Sequence, residues 1–145
     1  MVDHVSPEDA RLQELMSVEP DGPVVMLNLN RYREVAEYPA DHPDAGAGLT
    51  GREAYMKYGI VAYGAIAAVG GKILWAAEAT GLVIGCDHDE YDEVVAVWYP
   101  SRAAFLGLAD VPGYPESHLH RDAGVAQATL IATAGAAEPV LTSPF

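Results

Sequence analysis

Residues 23–32 read PVVMLNLNRY, and their reading decides the fold. Val25, Leu27 and Leu29 fall on one face of an extended chain, and Met26, Asn28 and Asn30 fall on the other. This is a strand. The turn Pro20-Asp21-Gly22 precedes it. Further upstream a short helix is predicted over residues 7–16, with Ser6 as N-cap, Pro7 at the first helical position and Glu8 and Asp9 in the first turn. Downstream, residues 34–50 carry Pro39, Pro43, Gly46 and Gly48 and read as an irregular loop. A loop of that length in a small domain is often a lid or a binding loop.

The remaining elements follow by the same rules. Residues 51–69 form a helix, since Tyr55, Gly59, Ala62, Ile66 and Val69 recur at helical spacing and Tyr58 and Ala65 widen the stripe. Gly70 and Gly71 stop it. Residues 72–77 form a second strand, with 81–85 as a possible hairpin partner, and the acidic CDHDEYDE connects it onward. Residues 93–99 form a buried strand ended by Pro100, and Ser101 caps a short helix through Leu108. Residues 112–124 hold a further helical turn or two, and 125–133 form the last strand. The order is that of two split βαβ units: an α+β, ferredoxin-like sandwich on an antiparallel sheet. The expected organisation is an N-terminal helical lead over 1–22, one domain over 23–133, and a C-terminal tail over 134–145 extended on the surface or on a partner.

Composition narrows the function. A chain of 145 residues with 21 acidic and 8 basic side chains carries a net charge of −13. That leaves no basic footprint for nucleic acid, and it disfavours an anionic membrane surface. The longest apolar stretch, residues 60–71, is too short to span a bilayer. Cys86 is the only cysteine, so no internal disulfide forms and a reducing cytoplasm is expected. The N-terminal MVDHVSPEDARLQELM lacks the apolar core of a signal peptide.

In the predicted sheet order (fourth strand, first, third, second) several strand ends meet at one rim. Asn30, Arg31 and Tyr32, then Glu78, then Asp92 and Glu93, then His120 and Arg121 are expected there. Helices cover only one sheet face. Met26, Trp75 or Leu74, and Val95 or Trp98 would leave apolar area on the other, and face-to-face dimerisation would cover it. Asn is poor in strands, so Asn28 and Asn30 on one face suggest a wet pocket.

VVMLNLNRYR, YMKYG, GGKILWAAE, VIG, DEVVAVWYPSRAAFL and HRDAG, in this order and spacing, resemble the domain-of-unknown-function 1330 family. The resemblance covers residues 23 to about 133, and the long lead before Pro23 is a departure from it. It implies a subunit of the dimeric α+β barrel group and a homodimer. Related barrels include cofactor-independent monooxygenases, isomerases, cyclases and decarboxylases of small organic acids or aromatic compounds. Function still belongs to the site and not to the fold.

YPESHLHRDAG, residues 114–124, holds the chemistry-bearing candidates. If Pro115 opens a helix, His118 and His120 point about 200° apart and do not share a metal. Cys86, His42 and His88 stand at no recognised metal spacing, so no metal is expected. Glu116–His120 and His118–Asp122 are i, i+4 pairs that stabilise a helix and raise histidine pKa values. His120 lies in the family-like HR piece and His118 is read as surface. The functional reading makes His120 a general acid or base, with Arg121 and Arg31 fixing an anion and Asn28 and Asn30 orienting a substrate carbonyl. Tyr32, Trp75 and Asp92 complete the expected binding set; for Asp92, pairing with Arg31 and capping a strand are the plainer roles.

The expectation is therefore a cytoplasmic homodimer with a small-molecule pocket and no cofactor. Its chemistry is proton transfer on a small organic acid or carbonyl compound, of the isomerase, lyase or cyclase kind. The alternative is a non-catalytic, stress-related or small-ligand-binding dimer in which the same arginines hold a ligand and no proton moves.

Overall fold

The computed structural model describes residues 7–19 and 21–145. Strands β1 (Val24–Tyr32), β2 (Lys72–Glu78), β3 (Glu93–Tyr99) and β4 (Val125–Ala134) form one four-stranded sheet in the order β2-β3-β1-β4. Every neighbouring pair is antiparallel. With helices α1 (Asp9–Ser17), α2 (Gly51–Ala68), α3 (Arg102–Leu106) and α4 (Tyr114–Gly124), this is the expected ferredoxin-like α+β arrangement.

Local sequence explains the helix ends. The Thr50 hydroxyl accepts from the Glu53 backbone N–H, and the Glu53 carboxylate accepts from the Thr50 N–H, so α2 opens on a capping box. It closes on a Schellman turn. Gly71 N–H reaches Ile66 O, Gly70 N–H reaches Ala67 O, and Gly70 sits at φ +83°, where a side chain would be strained. Ser101 caps α3 as expected. Gly51 and Gly124 let α2 and α4 touch backbone to backbone, since a Cβ on either would collide with the other's carbonyl. The Arg33 carbonyl accepts from Gly51 N–H, and Arg33 N–H donates to Gly124 O, so the chain after β1 is pinned at this crossing.

The core lies between sheet and helices: Val24, Met26, Val97 and Tyr99 pack on Ala65, Ile66 and Leu108. Val95 joins this side. This corrects the expectation that Met26 lies on the uncovered face and, of the pair Val95 or Trp98, leaves Trp98 there. Both faces of β1 are apolar, so alternation separates the two sets without saying which is inside. The uncovered face carries Val25, Leu27, Leu74, Ala96 and Trp98. A bulge between Ile73 and Trp75 aligns Trp75 with Ala96 on that same face.

Residues 81–85 do not form a strand. Ala79 N–H donates to Asp92 O and closes the β2–β3 ladder directly, leaving 80–91 as an excursion in which Val83 and Ile84 are 95% and 92% exposed. α1 begins at Asp9 with Glu8 as its N-cap residue; Ser6 lies outside the described residues. Leu15 packs at the edge of the core, and its carbonyl accepts from Arg102 Nη1. Just beyond β4, Ala136 O accepts from Trp98 Nε1 at the uncovered face. Among the described residues, no helix is long and apolar enough to cross a membrane.

Candidate functional site

Sheet and helix layers leave between them an open cavity of about 1170 Å³. Met26, Asn28, Val95 and Val97 face it from the sheet, and α1 contributes Leu12 and Leu15. The helical side is aromatic and basic: Tyr55 and Tyr58 from α2, and Tyr114, His118 and Arg121 from α4. Tyr55 and Tyr58 rings lie 5.4 Å apart, and the Tyr58 and Tyr114 hydroxyls are 3.1 Å apart. His118 meets Tyr114 and Tyr58 edge-on at 4.8 and 5.4 Å.

Burial sets the protonation states. It raises the phenols of Tyr58, Tyr99 and Tyr114 above their ordinary value and pushes Tyr55 up to about 12, so all four stay protonated near neutrality. The Arg121 guanidinium pulls Tyr55, Tyr58 and Tyr114 the opposite way, so its field reaches the whole cluster. His118 is lowered, first by burial and then by Arg121, with Asp122 opposing. His120 is lowered by burial and by Lys57. The expectation of raised histidines therefore fails: one exposed i, i+4 acid does not outweigh desolvation and a nearby cation. His118 Nε2 is buried and, among the described residues, has no hydrogen-bond partner.

Of the residues expected at one rim, Tyr32, Glu78, Asp92 and Glu93 line a separate, smaller hollow of about 320 Å³, together with Arg33, Glu34, Thr50 and Arg52. Asp92 Oδ2 accepts from the Tyr32 backbone N–H at 2.8 Å, and Tyr32 OH donates to Glu93 Oε1 at 2.6 Å. Its wall is more acidic than basic, and neither His120 nor Arg121 lines it.

No family model matches the chain, and no curated protein does. The crystal structure of the methylated RPA0582 protein is 32% identical, with a TM-score of 0.82 over 94% of this chain and 97% of that one. A second structure of RPA0582, described as a protein of unknown function from Rhodopseudomonas palustris, matches at 32% identity and a TM-score of 0.81, over 93% and 98% of the two chains. The chain belongs to the same family as RPA0582.

This RPA0582-family fold divides the expected site residues among four places. Asn28 and Arg121 line the large cavity, where Asn28 Nδ2 also donates to Met26 O and Val95 O at 3.3 Å. Tyr32 and Asp92 line the rim hollow. Asn30 is buried between them, 2% exposed, and donates to Tyr55 OH at 3.1 Å. Arg31 and Trp75 lie on the opposite sheet face: Arg31 donates to Gln127 Oε1 at 2.6 Å and does not pair with Asp92. Strand alternation puts Arg31 out of phase with Asn28 and Asn30, and the bulge does the same to Trp75.

His120 is the main relocation. It does not line the cavity; its Nδ1 is 2.6 Å from Tyr38 OH, and it faces His42 and Asp44 of the loop over 34–50. The two histidines do diverge as helical geometry requires, but His118 is the one that turns inward. Tyr55, Tyr58 and His118 were legible as types and spacing and were read as core or surface. For His118 the signal is the phase of α4, which starts at Tyr114 behind a left-handed Gly113; for Tyr55 and Tyr58 it is their place on the inward stripe of α2.

Proposed function

We propose that the large cavity binds a small organic acid or carbonyl compound with an apolar or aromatic body, and that His118 moves a proton on it. Arg121 would hold the carboxylate or enolate, the Tyr58–Tyr114 pair would donate hydrogen bonds, and Asn28 would face the substrate's polar edge. The observation that carries this reading is His118 lining the cavity under the field of Arg121, with a buried Nε2 that has no hydrogen-bond partner among the described residues. Leaving a buried polar atom unpaired costs about 1–3 kcal/mol, which a bound group offering a hydrogen bond recovers. A neutral imidazole can take the proton next to a carbonyl, and a fixed guanidinium stabilises the negative charge that develops on the oxygen. These side chains suffice for an enolisation, the step shared by isomerases, lyases and cyclases of such compounds.

The test uses a 2-keto acid with an aromatic body, such as phenylpyruvate. Wild type is expected to bind it and to exchange its C3 protons for deuterium in heavy water, read by proton NMR. His118→Gln should still bind but exchange about 10²–10⁴-fold more slowly. Arg121→Gln should lose binding. Exchange at the wild-type rate in His118→Gln removes His118 from the mechanism. Binding without exchange in wild type favours the rival reading, a ligand-binding protein.

The subunit would pair with a second copy through the uncovered sheet face, as membership of the domain-of-unknown-function 1330 family and its dimeric barrels would imply. Supporting this, the described chain leaves Trp75 38% and Ile131 48% exposed there. A single exposed thiol, Cys86, fits a reducing cytoplasm.

A further inference from the structure

The loop over 34–50 is not idle chain. It folds against α4 and brings His42, Asp44 and His120 together, with one donor atom from each lying within 4.8 Å of the others. Asp44 Oδ2 is 4.0 Å from His42 Nδ1 and 4.0 Å from His120 Nδ1. The three side chains are only 18%, 23% and 24% exposed, so this is a recess and not a set of free surface groups.

We propose that His42, Asp44 and His120 form a binding site for a first-row divalent cation of the zinc type, clamping this loop to α4. The donor set selects the class: two imidazoles and one carboxylate suit zinc and its neighbours, while calcium and magnesium take mostly oxygen. Three protein donors leave a further position open, as in zinc sites that hold water or substrate. The Tyr38 hydroxyl hydrogen-bonds His120 Nδ1 at 2.6 Å, so an ion taking that nitrogen would displace the Tyr38 hydroxyl from it.

Geometry supports the assignment in three further ways. Ligand atoms of a tetrahedral zinc centre are roughly 3.3 Å apart, given bonds of about 2.0–2.1 Å, so closure needs shifts on the order of 1 Å. Two of the three ligands belong to the loop, and closure on His42 Nδ1 would replace the hydrogen bond it accepts from the Asp44 backbone N–H at 3.0 Å. Tyr38 holds the rings in place: it stacks on His42 at 4.5 Å and meets His120 edge-on at 5.5 Å. Finally, a cation already occupies the carboxylate, for Lys57 Nζ is 2.8 Å from Asp44 Oδ2. A metal would exchange one positive charge for another, and Lys57 would be its competitor.

None of the three ligands lines the large cavity, so this site is independent of the function proposed above. The test titrates tag-free, chelator-treated full-length protein with Zn²⁺ by calorimetry. One ion per chain is expected, with micromolar or tighter affinity and a rise in melting temperature. His42→Ala and His120→Ala should each weaken binding by more than about 100-fold, and Asp44→Asn by about 10- to 100-fold. Lys57→Gln should tighten it, a gain that misfolding cannot produce. Substituted Co²⁺ should show ligand-field bands without thiolate charge transfer. The proposal fails if wild type takes up no Zn²⁺ below millimolar concentration. It also fails if Lys57→Gln brings no gain, if binding survives removal of both histidines, or if Cys86→Ser abolishes it.

Discussion

His118 and His120 are two residues apart in one helix, yet one is enclosed by tyrosines and the other by a loop. Their type and divergence were legible in the sequence. Which one turns inward depends on where α4 starts and which side the sheet lies, and neither is a property of residues 114–124 alone. Burial of His118 has a testable consequence. Above its ordinary value of 6.5 the ring is neutral whether the chain is folded or not. As pH falls below that value the unfolded chain takes up a proton before the folded one does, so stability is lost on acidification. Urea midpoints at pH 7.5 and 5.5 should therefore fall further for wild type than for His118→Gln; equal losses would mean the ring is not held neutral. Asn30 teaches the complementary lesson. Asn28 and Asn30 on one strand face suggested a wet pocket, whereas Asn30 is buried and donates to Tyr55 OH from α2, distant in sequence. Asn30→Ala should cost about 1–3 kcal/mol in denaturant unfolding, because it strands the Tyr55 hydroxyl in a buried site.

Elements with their own punctuation were the most legible. The end of α2 at Gly70-Gly71 and the cap at Ser101 follow from local backbone chemistry. The stretch 81–85 was not legible in the same way: Val83 and Ile84 look like strand residues, but a strand needs a free partner edge, and the β2–β3 ladder closes beneath them. The loop over 34–50 was legible as a loop and as a binding candidate, while its contact with α4 was not, since irregular chain carries no periodicity to project. The α2–α4 crossing is where an element-scale substitution should matter most. Gly124→Ala forces a methyl into the backbone of Gly51, and overpacking of this kind costs about 1–3 kcal/mol or more. Thermal unfolding should show it, whereas Gly59→Ala, which meets nothing within 4 Å, should be neutral or mildly stabilising.

At the scale of the whole molecule the strand and helix order predicted the sheet order β2-β3-β1-β4 directly, because few topologies satisfy two split βαβ units. What it left open was which face each apolar set takes, and here Trp75, Leu27 and Ile131 mark the uncovered side. Replacing Trp75 by Glu should turn a dimer into a monomer in light scattering while leaving far-ultraviolet circular dichroism unchanged; a monomeric wild type would refute pairing through this face. The same side holds both tryptophans of the chain, Trp75 and Trp98, whereas the cavity is walled by tyrosines. Light absorbed at 295 nm thus excites only the sheet's outer surface. Emission excited there reads whatever covers that face and the contact of Trp98 with Ala136, and a ligand in the cavity would have to act through the full thickness of the sheet to change its colour.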